Sequence, residues 1–399
     1  MAKDDHADQT LRAIAKEVLI FLMQKIERKK IHGILLTGSL ANGEGTVVKH
    51  GSCIVTSDFD FVVYLDSQYF LKNKVLFQKM AHQMTTNLVN KGITTHVDFL
   101  PIDLNLRSAF TFMTLNIYEY EFSLASKCVL GNSPHFNKNI KPSRKDSLEL
   151  AFTVASDLVF SELTSDSEIE QSYKYAKRAL TLLNSLLIFQ GIYAETYEKR
   201  IEFAKKHLTN GLPLLVKNEL WLLQLFTEYK LHGSLENIMN SLRCTSLSAL
   251  IKLEKEFLKK LTVKIIFYEI MCLTRGHRGQ NFELNVVYEH ISPKSFSHLL
   301  NEYLKKSKIS VNSRIVGLLI YLFAFIRKDQ ERAELFRTFV SQGQPPKVIL
   351  NYMVSIILFN GQNLSTPLLH KEFSWINMSG SALKKIFSLW KLAEQSIKL

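Results

Sequence analysis

The chain has 399 residues, of which 46% are hydrophobic and 22% charged, and its formal net charge is +13. This length predicts two or three domains, and this composition is that of a globular protein with a sizeable core. The four cysteines lack Cys-x-x-Cys spacing, which argues against a disulfide framework and against a zinc site; they are Cys53, Cys128, Cys244 and Cys272.

Two segments of the sequence are relevant to the cellular location of the protein. The N-terminal residues 1–6 contain no apolar core of the kind that a signal peptide needs. The longest apolar run, residues 315–326, is too short to span a bilayer and is typical of a buried helix. We therefore expect a cytoplasmic protein without a transmembrane segment.

The basic excess lies in the last part of the chain. Residues 233–399 contain 23 Lys and Arg against 12 Asp and Glu, whereas the two signs nearly balance before them. Such an excess favours an anionic partner, which would be nucleic acid, an anionic membrane surface or an acidic protein. A generally basic background without a specific partner explains the same count.

The first predicted elements are a helix over residues 11–31, where apolar residues recur three and four apart, and a strand over Ile34–Leu36. Gly38 and Ser39 follow this strand. Glycine lets backbone N–H groups approach a ligand closely, and a helix that starts at Ser39 would attract an anion to its free N–H groups. Gly38 and Ser39 are therefore candidates for binding phosphate.

A second strand carries two acidic residues. Residues 46–55 predict a small hairpin that turns at His50-Gly51, and Asp58-Phe59-Asp60 opens an apolar strand behind it. Alternation along a strand places Asp58 and Asp60 on one face. Adjacent carboxylates repel each other unless a cation lies between them, and their hard oxygens suit Mg²⁺. The alternative is a hairpin with a solvated acidic edge.

Gly38-Ser39 followed by Asp58-Phe59-Asp60 resembles the signature of the DNA polymerase beta-like nucleotidyltransferase superfamily. The chain is most similar there to stand-alone bacterial enzymes with a helical domain, which include aminoglycoside and lincosamide nucleotidyltransferases. The resemblance covers about residues 10–210, and the 18 residues between Ser39 and Asp58 exceed the usual spacing. The resemblance implies an enzyme that uses two Mg²⁺ ions and an NTP, with ATP as the expected NTP. This enzyme would transfer an NMP group to a hydroxyl of a small molecule, a protein or RNA.

The resemblance also implies a third carboxylate on a neighbouring strand, which completes the metal site and takes the proton of the acceptor hydroxyl. Residues 94–100 alternate enough for this strand, which Pro101 is expected to stop, and Asp98 lies in it. Asp103 is the alternative. His96 shares the face of Asp98 by parity and is interpreted as a plain polar residue.

After a predicted helix over residues 108–126 and a short strand near 127–130, every substantial segment from Ser147 onward is predicted to be helical, including segments across 295–397. In the resembled enzymes a basic residue of the helical domain meets the triphosphate. The helix over residues 172–190 offers Lys177 and Arg178 for this role, and a solvated helix face explains them equally well.

These observations predict an α+β fold, in which a small mixed sheet with helices is followed by all-helical domains. We expect a catalytic domain over residues 1–140, a helical bundle over 141–232 that closes the cleft, and a basic all-helical domain over 233–399. The alternative to an enzyme is a non-catalytic NTP-binding module whose basic C-terminal part docks a partner.

Overall fold

The computed structural model describes residues 1–103 except Ser52, residues 120–132 except Phe122, and residues 141–163, 166–207 and 215–275. A few isolated positions between 298 and 358 are also described. The predicted helices over 108–126 and 295–397 fall mostly outside these residues.

The described elements run in the following order. The strands are β1 (Ile31–Thr37), β2 (Val47–His50), β3 (Cys53–Thr56), β4 (Phe59–Leu65), β5 (Ile93–Thr94), β6 (Val97–Asp103) and β7 (Ser126–Gly131). The α-helices are α1 (Asp5–Lys25), α2 (Gly38–Asn42), α3 (Ser67–Val89), α4 (Arg144–Phe160), α5 (Glu168–Phe189), α6 (Tyr197–His207), α7 (Lys217–His232), α8 (Leu235–Ser241) and α9 (Leu247–Arg275). Short 3₁₀ turns cover Arg28–Lys30 and Ser161–Leu163.

The larger sheet has the strand order β6-β4-β1-β7. β1 is antiparallel to both β4 and β7, whereas β4 and β6 are parallel, so the sheet is mixed. Among the described residues after Gly131 only helices occur. The predicted α+β class, a small mixed sheet with a mainly helical remainder, is confirmed.

One face of this sheet is buried under two helices. The apolar side chains of α1 recur at helical spacing, as in an amphipathic helix. Together with apolar side chains of α3, they pack against alternate residues of the strands. The buried cluster includes Leu11, Val18 and Leu22 of α1, Phe77 and Met84 of α3, and Ile34, Leu36, Phe61, Val63 and Phe99 of the strands. The opposite face carries a smaller cluster of Leu35, Val62 and Tyr64.

The predicted hairpin over residues 46–55 is confirmed. β2 and β3 pair antiparallel, and Gly51 in the turn has φ +58°, a left-handed conformation that favours glycine. The hairpin also gains a third strand, because β5 pairs parallel to β3. The insertion between Ser39 and Asp58 therefore supplies two of the three strands of a small separate sheet.

The expected end of a strand at Pro101 is wrong. β6 continues to Asp103, and Pro101 lies opposite Val63 of β4. Proline lacks the N–H that a central strand would need for pairing, so it is tolerated where a strand has a neighbour on one side. β6 is the outer strand of the four that are described, which explains why proline does not end it.

Two of the described helices, α5 and α6, begin at a hydroxyl residue that caps them. Ser167 Oγ accepts a hydrogen bond from the Glu170 N–H at 3.4 Å, so α5 begins before the predicted Ser172. Thr196 Oγ1 accepts one from the Lys199 N–H at 3.3 Å, just before α6 begins at Tyr197. No helix among the described residues is long and apolar enough to cross a bilayer.

The chain divides into two compact units. One comprises Met1–Asp146, Asp166–Thr209 and Leu215–Glu254 and holds both sheets. The other comprises Ser147–Ser165, Asn210–Leu214 and Lys255–Leu399. The domain limits near residues 140 and 232 stay predictions.

A buried carboxyl in the first unit makes stability depend on pH. Glu254 in α9 is fully buried, and its Oε1 accepts a hydrogen bond from Ser172 Oγ at 3.1 Å. Burial raises the pKa of Glu254 well above its usual 4.5, and this hydrogen bond opposes the rise only in part. The folded protein therefore keeps a proton that the unfolded chain releases above pH 4.5, so this group lowers stability as the pH rises.

The Glu254→Gln variant is expected to remove that dependence. Relative to the variant, the free energy of unfolding of the parent protein should fall between pH 5 and pH 7 by up to about 1.4 kcal/mol per pH unit. Denaturant unfolding at several pH values measures this difference. Glu256→Gln, at an exposed position on the same helix, is the control and should leave the pH profile unchanged. Parallel profiles for Glu254→Gln and the parent protein would contradict the prediction.

Candidate active site

The two acidic residues of the signature lie at the beginning of β4. Asp58 directly precedes the strand and Asp60 is its second residue. Phe59 and Phe61 are buried in the core beneath the sheet, with 0% and 1% of their surface exposed. Because successive side chains of a strand alternate, Asp60 points away from that core.

Asp98 lies beside Asp60. The parallel pairing of β4 with β6 places Asp60 opposite Asp98 and Phe61 opposite Phe99, whose rings lie 6.1 Å apart by centroid. Directly paired residues of adjacent strands project to the same face, so the carboxylates of Asp60 and Asp98 share a face. Asp103, the alternative third acid, lies opposite Leu65 at the other end of the strand.

The Gly38 turn meets the same carboxylate. Gly38 has φ +68°, and a Cβ atom placed on it would lie 3.4 Å from Asp60 Oδ2. Thr37 Oγ1 donates a hydrogen bond to the Asp60 carbonyl at 3.1 Å, which ties the end of β1 to β4. Gly38 and Ser39 open the five-residue helix α2. The turn and the acids therefore adjoin, whereas phosphate binding by Gly38 and Ser39 stays a prediction.

Lys177 of α5 forms an ion pair with Asp58, with its Nζ donating to Asp58 Oδ2. Burial by itself would raise the pKa of Asp58, but the Lys177 ammonium, with smaller contributions from His96 and Arg178, lowers it to about 2. Burial by itself would lower the pKa of Lys177. The Asp58 carboxylate outweighs this effect, so the pKa of Lys177 is raised. Asp58 is thus an ionised carboxylate that a lysine from the helical part of the chain holds.

Ser57, next to Asp58, forms hydrogen bonds through its N–H, its carbonyl and its hydroxyl group. Its N–H donates to the Thr46 carbonyl at 3.1 Å, and its carbonyl accepts from Thr95 Oγ1 at 3.0 Å. Its Oγ accepts from the Thr46 N–H at 2.9 Å and lies 3.1 Å from the Tyr173 hydroxyl. Tyr173 precedes Lys177 by one turn of α5. Two residues one turn apart therefore hold two consecutive residues, Ser57 and Asp58.

A fully buried lysine of α7 supports this arrangement. Lys230 Nζ donates to Ser57 Oγ at 2.9 Å, to Thr46 Oγ1 at 2.8 Å and to the Glu44 carbonyl at 3.3 Å. It also lies over the rings of Tyr173 and Tyr197, at 5.3 and 5.7 Å from their centroids. Lys230 was not predicted from the sequence. Lys230 lies on the same side of α7 as the buried Leu223 and Phe226, and this spacing is the only sequence feature that indicates a buried position for it.

Two further acids near the site were not predicted either. Glu44, which follows α2, is buried, and its Oε1 accepts a hydrogen bond from the N–H of Tyr197 at 2.7 Å, where α6 begins. Glu121 lies ahead of β7; burial raises its pKa, and the charges of Arg200 and Lys177 oppose the rise. No local pattern in the sequence distinguishes these glutamates from solvent-exposed ones.

The donor chemistry of the site fits a hard divalent cation, although no group of three or more His, Cys, Asp or Glu side chains among the described residues is gathered closely enough to hold a metal. The carboxylates of Asp60 and Asp98 stand side by side on parallel strands. Carboxylate oxygens are the ligands that Mg²⁺ prefers, and this ion commonly takes only one or two of them from a protein. Asp58 would join them once its Oδ2 leaves Lys177.

A separate surface groove of about 520 Å³ lies along α1. Its lining is mainly apolar and includes Leu19, Ile20 and Met23. No acidic side chain lines this groove, so it offers nothing to a cation and belongs to a different part of the surface from the aspartates.

Comparison with known proteins places the chain in no established family. No family model matches the sequence, and no curated protein matches it. Among solved structures, the chain is similar to spectinomycin adenyltransferase AAD(9) from Enterococcus faecialis, crystallised with ATP and spectinomycin. The TM-score is 0.34 and the identity 13%, over 61% of this chain and 98% of that one. A similarity this low supports no conclusion about function, which has to come from the residues of the site.

Proposed function

We propose that this chain is a nucleotidyltransferase, which moves an NMP group from an NTP, first of all ATP, to a hydroxyl acceptor and releases pyrophosphate. The observation that carries the proposal is the pairing of Asp60 with Asp98 on parallel strands, with the Gly38 turn against Asp60 and Lys177 on Asp58. Carboxylates, a tight turn after a strand and a basic side chain are the groups that phosphoryl-type transfer requires.

In this mechanism the backbone of Gly38 and Ser39 holds phosphate oxygens of the NTP. An oxygen of the acceptor hydroxyl forms a bond to the α-phosphorus, its proton passes to the Asp98 carboxylate, and the bond between the α-phosphorus and the bridging oxygen of pyrophosphate breaks. Lys177 and Arg178 offset the charge that grows on the leaving pyrophosphate. Mg²⁺ on Asp58, Asp60 and Asp98 would polarise the phosphoryl oxygens and stabilise the transition state by several kcal/mol.

The acceptor is proposed only as a class. A small hydroxylated molecule, a protein side chain and an RNA end all present the required hydroxyl. The basic residues 233–399 favour a macromolecule, because Lys and Arg in excess attract a polyanion. We also propose the three-part division at residues 140 and 232, with the last part assigned to recognition of the acceptor.

The test uses ATP labelled at the α-phosphate. The protein is incubated with Mg²⁺ and with three fractions of a cell lysate, which contain small molecules, proteins and RNA; spectinomycin is added as a fourth candidate acceptor. Label is expected in one fraction, with one pyrophosphate released for each transfer. If RNA takes the label, transfer should fall steeply as salt rises.

The second candidate is a non-catalytic NTP-binding module, and the ion pair of Lys177 with Asp58 favours it, because one of the acids is already neutralised. This module would bind ATP and release no pyrophosphate in any fraction. ATP binding without label transfer or pyrophosphate would therefore overturn the enzyme proposal and support the module.

A further inference from the structure

The ion pair between Lys177 and Asp58 occupies an oxygen that the proposed reaction needs. Lys177 Nζ bonds Asp58 Oδ2, and the two side chains are 27% and 32% exposed. The pair is therefore within reach of solvent and of ligands. Its two residues lie 119 positions apart in the chain, so tertiary structure alone brings them together.

The contact is held by its neighbours on both sides. Tyr173, one turn ahead of Lys177 on α5, contacts Ser57 Oγ at 3.1 Å. Ser57 is in turn bonded to Thr46 and to Lys230. The contact between Tyr173 and Ser57 fixes the position of α5 relative to the Ser57-Asp58 segment. The packing of the helix therefore places Lys177 next to Asp58.

The same Asp58 oxygen cannot serve an ammonium and a divalent cation at once. Both carry positive charge, and at contact with a shared oxygen they would lie close enough to repel each other strongly. Asp60 and Asp98 lie opposite each other on the neighbouring strands β4 and β6. Lys177 contacts Asp58, so Asp58 is the carboxylate for which the two cations compete.

We infer, on the basis of the proposed function, that Lys177 competes with the divalent cation for Asp58 and that a triphosphate ends this competition by drawing the ammonium to its own oxygens. Divalent cation and NTP then bind in a mutually dependent way. The protein alone has a low affinity for the cation, because the ion must displace Lys177 before Asp58 becomes a ligand.

The test measures binding of Mn²⁺, without turnover, from the electron paramagnetic resonance signal of the free ion. In the absence of nucleotide, Lys177→Met is expected to bind Mn²⁺ at least about tenfold more tightly than the parent protein, since a charge that opposes the ion is gone. The matched control is Lys174→Met. Lys174 lies on the same helix and pairs with Asp166 and Glu170 instead, so its removal should leave Mn²⁺ affinity unchanged.

Two more variants assign the effect to Asp58. Lys177→Arg keeps the charge and should bind Mn²⁺ like the parent protein. Asp58→Asn combined with Lys177→Met should lose the added affinity. A non-hydrolysable ATP analogue should raise the Mn²⁺ affinity of the parent protein by a larger factor than that of Lys177→Met. Lys177→Gln replaces Lys177→Met in all comparisons if the methionine variant does not fold.

Equal or weaker Mn²⁺ binding by the folded Lys177→Met or Lys177→Gln variant would overturn the inference, as would absence of Mn²⁺ binding in every variant. This outcome is separate from the fate of the enzyme proposal. Label transfer with equal Mn²⁺ affinities removes the competition alone, whereas tighter binding without any transfer leaves the competition standing and removes the enzyme.

Discussion

The Asp60→Asn variant is expected to lose the proposed nucleotidyl transfer by a factor on the order of 10³ while its fold survives. Asp60 lies beside Asp98 and next to the Gly38 turn, so its carboxylate adjoins the positions proposed for the cation and for the phosphates. Asparagine has nearly the same shape but no charge, and the variant therefore tests the charge. The measurements are the rate of Mg²⁺-dependent pyrophosphate release and the unfolding midpoint.

The matched control for this prediction is Asp66→Asn. Asp66 follows the same strand and accepts a hydrogen bond from the Gln68 N–H at 3.0 Å, as the N-cap of α3. Asparagine caps helices about as well as aspartate, so this variant should keep both activity and stability. Full transfer by Asp60→Asn would remove Asp60 from the mechanism, and equal loss in both variants would point to a general effect of lost charge.

The Lys230→Ala variant is expected to destabilise the protein by about 3 kcal/mol. Lys230 is fully buried, donates to three oxygens and places its ammonium over two tyrosine rings. Alanine leaves a cavity and takes the donor away from Ser57 and Thr46, whose oxygens are buried with it. Denaturant unfolding, followed by circular dichroism, measures the loss.

Two further variants separate the causes of that loss. Lys230→Met retains most of the packing and removes only the donor, so it should cost less than alanine. Lys217→Ala lies on the same helix at an exposed position and should change stability by no more than about 0.5 kcal/mol. An alanine variant at position 230 as stable as the parent protein would show that the buried network adds nothing to the fold.

The sequence alone determined the local structure around the site. The alternation of Asp58-Phe59-Asp60 with apolar residues predicted the strand, and the structure has β4 with both phenylalanines buried. The hairpin at His50-Gly51 was predicted in the same way. These features depend on neighbours within a few residues, so the order of the chain contains the information for them.

Tertiary structure alone decided which distant groups meet. The sequence offered Asp98 and Asp103 for one role, and the register of β6 against β4 placed Asp98 beside Asp60. Lys177 and Arg178 are adjacent in the chain, yet the packing of α5 directs Lys177 onto Asp58.

The charged residues of the core show the same limit. Lys230 and Glu254 belong to residue types that usually lie at the surface, and both are buried. Pro101 should end a strand by local rules, yet β6 continues through it because it is an outer strand. Local preferences cost or contribute about 1 kcal/mol per residue, and the packing of whole elements outweighs them. Residue order therefore determines the elements, and the way they assemble determines the site.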